Sequence, residues 1–225
     1  MKKSIYLLSL AILLFSMFGT ASCSSLPKSS IDHPFGLFYE RRLSQFSELP
    51  VSSDAVVFLG DSLTDEGRWS EIFPELKIFN RGVSADRTEH VLARLDQITK
   101  GHPKIIFIMI GTNDLKFGIS PEKIISNYRE ILQSIQKQSP NTKVFVQSLL
   151  PRKASFQKHI EKINHDLLLL SKHYGCTYID LYPAFLDKNG AIKKEYSNDA
   201  LHLLGAGYLK WKELLDPYIL DRRNN

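Results

Sequence analysis

The chain has 225 residues, enough for one sizeable domain and too few for two comfortable ones. Hydrophobic residues make up 43% and charged residues 24%, which excludes a disordered or collagen-like chain, and no repeat period appears. The net charge of +5 is mild and evenly spread, so nothing argues for a nucleic-acid partner.

The first stretch differs from the rest. Lys2 and Lys3 form a basic head, Ile5 to Phe18 is almost unbroken apolar sequence, and Gly19-Thr20-Ala21-Ser22 supplies small residues before Cys23. That is the pattern of an export signal over residues 1–22. The competing reading is a retained anchor, but the run is short for a span of about 20 residues. Thr20-Ala21-Ser22-Cys23 resembles a bacterial lipobox, with Thr20 where Leu is usual. The resemblance implies lipidation of Cys23 and a protein held in the cell envelope, against ordinary cleavage and loss of the signal. Residues 23–33 then read as a tether and 34–225 as the folded domain. The only other cysteine, Cys176, reads as a small buried hydrophobe, not as a nucleophile.

Apolar and charged residues alternate at helical spacing from Phe35 to Phe46, which predicts a first helix. Five short apolar runs follow: Ala55–Leu59, Leu76–Phe79, Lys104–Ile110, Lys143–Leu149 and Thr177–Leu181. Each has the continuous hydrophobic, β-branched character of a buried strand. Helical patterns lie between them, over Thr88–Ile98, from Pro121 after the N-cap residue Ser120, and over Phe156–Tyr174. A last helix is predicted at Gly207–Leu220. Alternating strands and helices imply right-handed crossovers and a three-layer α/β/α domain with a parallel sheet. Sites in such sheets form beyond the carboxyl ends of the strands.

Four groups of residues sit at or near such ends. Gly60-Asp61-Ser62-Leu63 follows the first strand and presents Ser62 on a tight turn at a helix start, where free N–H groups favour negative charge. Asn80-Arg81-Gly82 follows the second strand, and Gly82 lets a backbone N–H approach a bound group. Gly111-Thr112-Asn113-Asp114 follows the third, and Asn113 offers an uncharged amide donor. Asp199-Ala200-Leu201-His202 lies near the C-terminus. Asp199 is spaced to fix the His202 tautomer while His202 works on a third group. Each group alone also reads as a turn or a cap. Together they supply a nucleophile (Ser62), oxyanion donors (Gly82, Asn113), a base (His202) and its orienter (Asp199).

These four blocks, with their spacing, resemble those of the SGNH (GDSL) hydrolase family. Asn80–Thr88, Leu149-Leu150-Pro151-Arg152 and His202–Tyr208 resemble the branch of the platelet-activating-factor acetylhydrolase catalytic subunits, whose exported bacterial relatives include carbohydrate acetylesterases. The resemblance implies a flavodoxin-like fold with five strands in the order 2-1-3-4-5. It implies a catalytic triad of Ser62, Asp199 and His202, and an oxyanion hole of the Ser62 N–H, the Gly82 N–H and the Asn113 amide. It implies esterase activity on short acyl groups, with neither metal nor cofactor. A lysophospholipase or thioesterase is the alternative within hydrolases, and a non-catalytic glycan- or lipid-binding module the alternative outside them. Retention of both Ser62 and His202 separates the chain from that second class. A cofactor-binding flavodoxin is disfavoured by the lack of a phosphate-cradling glycine-rich loop. Trp69, Tyr182, Tyr196 and Tyr208 are expected to pack in or near the core, Arg81, Arg87 and Arg152 to be structural, and Asp114 to brace its loop. Oligomeric state is not legible.

Overall fold

A computed structural model describes residues 33–220. The export segment, Cys23 and nearly all of the tether lie outside the described residues. Five strands, β1 (Val56–Gly60), β2 (Ile78–Gly82), β3 (Ile105–Met109), β4 (Lys143–Gln147) and β5 (Thr177–Ile179), form one all-parallel sheet. Their order is β2-β1-β3-β4-β5, the order expected. The order reverses at β1, so the end of β1 is where a site should form.

Ten α-helices are described: α1 (Gly36–Glu48), α2 (Ser62–Asp65), α3 (Trp69–Ile72), α4 (Thr88–Ala93), α5 (Asp96–Thr99), α6 (Thr112–Lys116), α7 (Pro121–Gln138), α8 (Gln157–His173), α9 (Tyr182–Phe185) and α10 (Gly205–Leu220). Ser120 caps α7 as its sequence predicts, its hydroxyl accepting the Lys123 N–H at 3.2 Å. Side chains alternate across the sheet. On one face Phe58, Phe107 and Phe145 stand in register on neighbouring strands and stack at 5.1 and 4.7 Å. Trp69 of α3 stacks on Phe58 at 4.2 Å, and Trp211 of α10 meets Trp69 edge-on. The Trp211 N–H reaches Gln147 Oε1 at 2.6 Å, so this buried indole carries no unpaired donor. The opposite face is covered by α4, α7 and α8, with Val91, Ile124, Ile131, Ile160 and Ile163 fully buried.

Two departures from the sequence reading have physical causes. The second strand is displaced toward the C-terminus, from Leu76–Phe79 to Ile78–Gly82, because its pairing with β1 draws Asn80-Arg81-Gly82 into the sheet. The single helix expected over Thr88–Ile98 is two short helices, α4 and α5, which break at Arg94. Arg94 turns inward there. Its Nε donates to Asp86 Oδ2 at 2.8 Å, and its Nη2 to the carbonyls of Arg81 (2.8 Å) and Gly60 (3.2 Å). Both side chains are almost completely buried. Val91 and Leu95 lie on either side of the break and bury the same face, so the apolar pattern runs through it.

Removing one partner of a buried pair strands the other. Arg94→Met is therefore expected to destabilise the protein by about 3–5 kcal/mol, read as a shift of the urea midpoint. A midpoint unchanged from wild type would contradict the account of the break.

Candidate active site

Ser62 opens α2 immediately after β1. Gly60 cannot carry a side chain, since a Cβ would lie 2.4 Å from the Met109 carbonyl and 2.3 Å from Thr64 Oγ1. Asp61 caps α2 with its carboxylate, which accepts the Leu63 N–H at 3.0 Å. As first residue of the helix, Ser62 has no intrahelical partner for its own N–H. The Tyr208 hydroxyl donates to the Leu63 carbonyl at 2.9 Å and ties α10 to this turn.

The Asp199–His202 turn meets Ser62 across 140 residues of sequence. Ser62 Oγ lies 3.1 Å from His202 Nε2, and His202 Nδ1 lies 2.7 Å from Asp199 Oδ2. Ala200 adopts a left-handed φ of 61°, which folds the turn back. Asp199 Oδ1 then accepts the N–H groups of Leu201 (2.9 Å) and His202 (2.8 Å). Burial raises the Asp199 carboxyl, but the hydrogen bonds from the His202 ring, the His202 N–H and the Leu201 N–H outweigh it and hold the group at about 2. Asp199 is thus ionised at neutral pH. An ionised carboxylate takes Nδ1–H, which leaves the Nε2 lone pair facing the Ser62 hydroxyl.

Asn113 lies in α6, after a left-handed Gly111 at φ 125°. Its Nδ2 donates one hydrogen to the Asp86 carbonyl at 3.0 Å, and the amide carries a second. Asp114 braces the loop, as expected: its carboxylate accepts the Thr88 N–H (3.0 Å) and hydroxyl (2.5 Å). Gly82 packs against α2 so tightly that a Cβ would stand 2.2 Å from the Asp65 nitrogen. Its N–H donates to Asn80 Oδ1 at 2.9 Å. It can serve an oxyanion only if that bond is shared or released. Asn80 Nδ2 spans the carbonyls of Thr64, Asp65 and Gly67, so this side chain clamps the helix that Ser62 opens to β2.

The remaining candidates are structural. Trp69 is buried, with its N–H on the Thr64 carbonyl. Tyr182 is buried, and Tyr196 packs on Phe185. The Arg81 guanidinium lies over Phe46 at 4.5 Å, and burial lowers it to about 10. Arg87 lies over Phe117. Arg152 is buried over Phe156 and donates to the Thr112 carbonyl at 2.9 Å, anchoring the start of α6. Cys176 is half-buried at the start of β5, the edge of the sheet opposite Ser62, and burial pushes its thiol up to about 11. It is not ionised at neutral pH.

Sequence reading missed a polar cluster behind the site. His33, Asp86 and His90 are buried together, with ligand-type atoms within 4.8 Å of one another. His33 is the last residue assigned to the tether, yet its ring stacks on Tyr39 at 4.3 Å. The spacing could suit a metal, but both imidazoles already use Nδ1 as an acceptor and one Asp86 oxygen is taken. His33 Nδ1 accepts the Phe35 N–H, His90 Nδ1 accepts the Arg87 N–H, and Asp86 Oδ2 is held by Arg94. Burial lowers His90 to about 4, so it is neutral at neutral pH. No sequence signal marked this cluster, since its members lie 53 residues or more from His33 and share no periodicity with it.

The arrangement at Ser62 suits acyl transfer, and the comparisons with known proteins agree. The GDSL-like Lipase/Acylhydrolase family matches residues 58–210. The chain belongs to that family. It is an acylhydrolase, a carboxylic ester hydrolase. It is 33% identical over 164 residues to platelet-activating factor acetylhydrolase IB subunit alpha1 from Homo sapiens, covering 68% of this chain and 70% of that protein. A solved Streptococcus protein named for platelet-activating factor superimposes at TM-score 0.74 with 26% identity, over 81% of this chain and 93% of that one. Axe2, an acetyl-xylooligosaccharide esterase from Geobacillus, shares the fold at TM-score 0.62 with 17% identity, over 75% of this chain and 95% of that one.

Asp61 gives this acylhydrolase a pH-dependent stability. Burial pushes its carboxyl from 3.8 up to about 7, against the Leu63 hydrogen bond, with Asp86 and Asp114 adding to the rise and Arg152 opposing it. The folded state holds the Asp61 proton more tightly than the unfolded chain. That stabilisation is complete below about 3.8 and is lost as pH rises through about 7. Asp61→Asn keeps the acceptor for Leu63 without the charge. Its melting temperature relative to wild type should therefore climb between pH 5 and pH 8. Parallel pH curves for the two proteins would refute the assignment.

Proposed function

We propose that this acylhydrolase removes short acyl groups, acetyl foremost, from an O-acylated carbohydrate, through a Ser62–His202–Asp199 triad and a covalent acyl-enzyme. The observation that carries this reading is the 3.1 Å approach of Ser62 Oγ to His202 Nε2, on a ring whose other nitrogen is held by Asp199.

In this reading Ser62 Oγ attacks the ester carbonyl as its proton passes to His202 Nε2. The oxyanion forms beside the Ser62 N–H and the second hydrogen of the Asn113 amide. The Gly82 N–H joins them where its bond to Asn80 loosens. His202 then gives its proton to the leaving alcohol as the C–O bond breaks. Water, deprotonated by the same nitrogen, attacks the acyl-enzyme and releases the acid and free Ser62. Asp199 is about half exposed, so water screens its charge. It acts chiefly by fixing the tautomer and orientation of His202.

The names of similar proteins support an acetyl group. The human relative is an acetylhydrolase and Axe2 an acetyl-xylooligosaccharide esterase. Both names share acetyl and differ in the alcohol. The carbohydrate reading of the alcohol rests on the export signal, since an enveloped or exported enzyme meets glycans. The same segment supports a lipid anchor at Cys23. Among the described residues, no helix is long and apolar enough to cross a membrane.

Ser62→Ala and His202→Ala should each lower kcat on p-nitrophenyl acetate by on the order of 10⁴. Asn113→Ala should lower it by roughly 10²–10³. EDTA should change nothing. Wild-type turnover in Ser62→Ala would end the proposal. An acyl-chain series run beside acetylated xylan and a lysolipid should show steep preference for acetate. Faster release of long chains would favour the lysophospholipase or thioesterase alternative instead. Growth with radiolabelled palmitate should label the mature protein and not the Cys23→Ser variant; an unlabelled wild type would rule out the anchor.

A further inference from the structure

His33 lies outside the family-matched region, yet it is wired to the oxyanion side of the site. With Nδ1 accepting the Phe35 N–H, its neutral ring carries hydrogen on Nε2. That nitrogen lies 3.4 Å from Asp86 Oδ1, longer than a good hydrogen bond, and neither atom makes a hydrogen bond. Both side chains are fully buried, and His33 Nε2 is the nearer of the two imidazole nitrogens that face Asp86 Oδ1, the other being His90 Nδ1 at 3.9 Å. The second oxygen of Asp86 is taken by Arg94, and its backbone carbonyl holds the Asn113 amide. Asp86 follows Ala85, which sits at a left-handed φ of 68°. A non-glycine residue stays there only when its surroundings over-determine the loop.

The segment that carries His33 is fastened to the same loop elsewhere. His33 stacks on Tyr39 at 4.3 Å and meets the His90 ring at a tilt, 4.8 Å away. Tyr39, Leu43 and Phe46 of α1 bury Val83, the residue after Gly82. Arg42 pairs with Asp65 at the end of the nucleophile's helix, and Ser84 donates to the other oxygen of Asp65. The loop from Val83 to Arg87 is thus gripped from outside by the stretch that emerges from the tether, and from inside by Asn113.

We infer that His33 is a positioning residue for catalysis: through Asp86 it fixes the loop that aims the Asn113 amide, so the segment carrying His33 supports the oxyanion hole from behind. The inference rests on the oxyanion role proposed for Asn113. Asn113 touches the reacting oxygen in that reading, and His33 acts only through it.

The test uses the full chain with p-nitrophenyl acetate. His33→Ala should lower kcat roughly ten- to a hundredfold while KM changes less than about twofold. Gln places an amide N–H near the Nε2 position and should restore most of kcat; Asn places it near Nδ1 and should not. Combined with Asn113→Ala, His33→Ala should add little, because both changes remove the same function. Wild-type kcat in folded His33→Ala would overturn the inference, as would losses that multiply in the double variant. Should His33→Ala fail to fold, equal kcat for His33→Gln and His33→Asn would overturn it. If Asn113→Ala alone leaves kcat intact, the oxyanion reading falls as well. A large loss in Asn113→Ala with none in His33→Ala removes only the role of His33.

Discussion

The site depends on how a parallel sheet ends. Where β1 and β2 stop pairing, the Gly60 carbonyl still accepts the Val83 N–H, and the buried carbonyls of Gly60 and Arg81 each offer a second lone pair. Arg94 fills both with one guanidinium nitrogen. A buried guanidinium is itself costly, and Asp86 offsets that cost by a direct ion pair. The same knot fixes where Ser62 and Gly82 leave the sheet. The position of Ser62 is therefore set by how the sheet ends, before any substrate arrives.

Around that knot the loops are held in conformations that few residues tolerate. Ala85 and Ala200 both lie at left-handed φ, one in the loop behind Asn113 and one between Asp199 and His202. Each costs on the order of 1–3 kcal/mol. Each is offset by local hydrogen bonds: Asp199 gathers two backbone N–H groups and the His202 ring, and Asp86 gathers Arg94 and the Asn113 amide. Strain at Ala200 turns His202 toward Ser62, and strain at Ala85 lies beside the Asp86 carbonyl that holds the Asn113 amide. The short helices α2 and α6 act likewise, starting within a residue of Ser62 and Asn113 and leaving their first N–H groups unspent.

The sheet and most of the site residues were legible because their signals are local. Val56–Gly60 or Ile105–Met109 announce buried strands by composition alone, and Ser62, Asn113 and His202 follow turn or cap residues at readable spacing. What was not legible needs contacts between distant positions. Asp86 and Arg94 look like ordinary charged residues of a loop and a helix. Only the fold shows that they meet and that their meeting divides one expected helix into two. His33 lies between Asp32 and Pro34 with no apolar periodicity, so it reads as tether. The Gly82 N–H was legible as a close-approach backbone group, but its engagement by Asn80 was not. That bond depends on β2 extending three residues past its apolar run.

The two sides of Ser62 are physically unlike, and the proposed chemistry follows that division. The donor side is closed: Ser62, Asn113, Asp61, Asp86 and Asp114 are all buried or nearly so. Fixed dipoles in a dry setting stabilise a forming oxyanion more than the same dipoles in water. The base side is open, since the His202 and Asp199 side chains are about a third and a half exposed. In the proposed mechanism the leaving alcohol and the incoming water both exchange protons with His202 Nε2. Both therefore arrive and depart through the open side. A rigid enclosed half then constrains the carbonyl, while the exposed half meets whatever alcohol carries the acyl group. Such a frame suits relatives whose names share an acetyl group on alcohols as unlike as platelet-activating factor and a xylooligosaccharide.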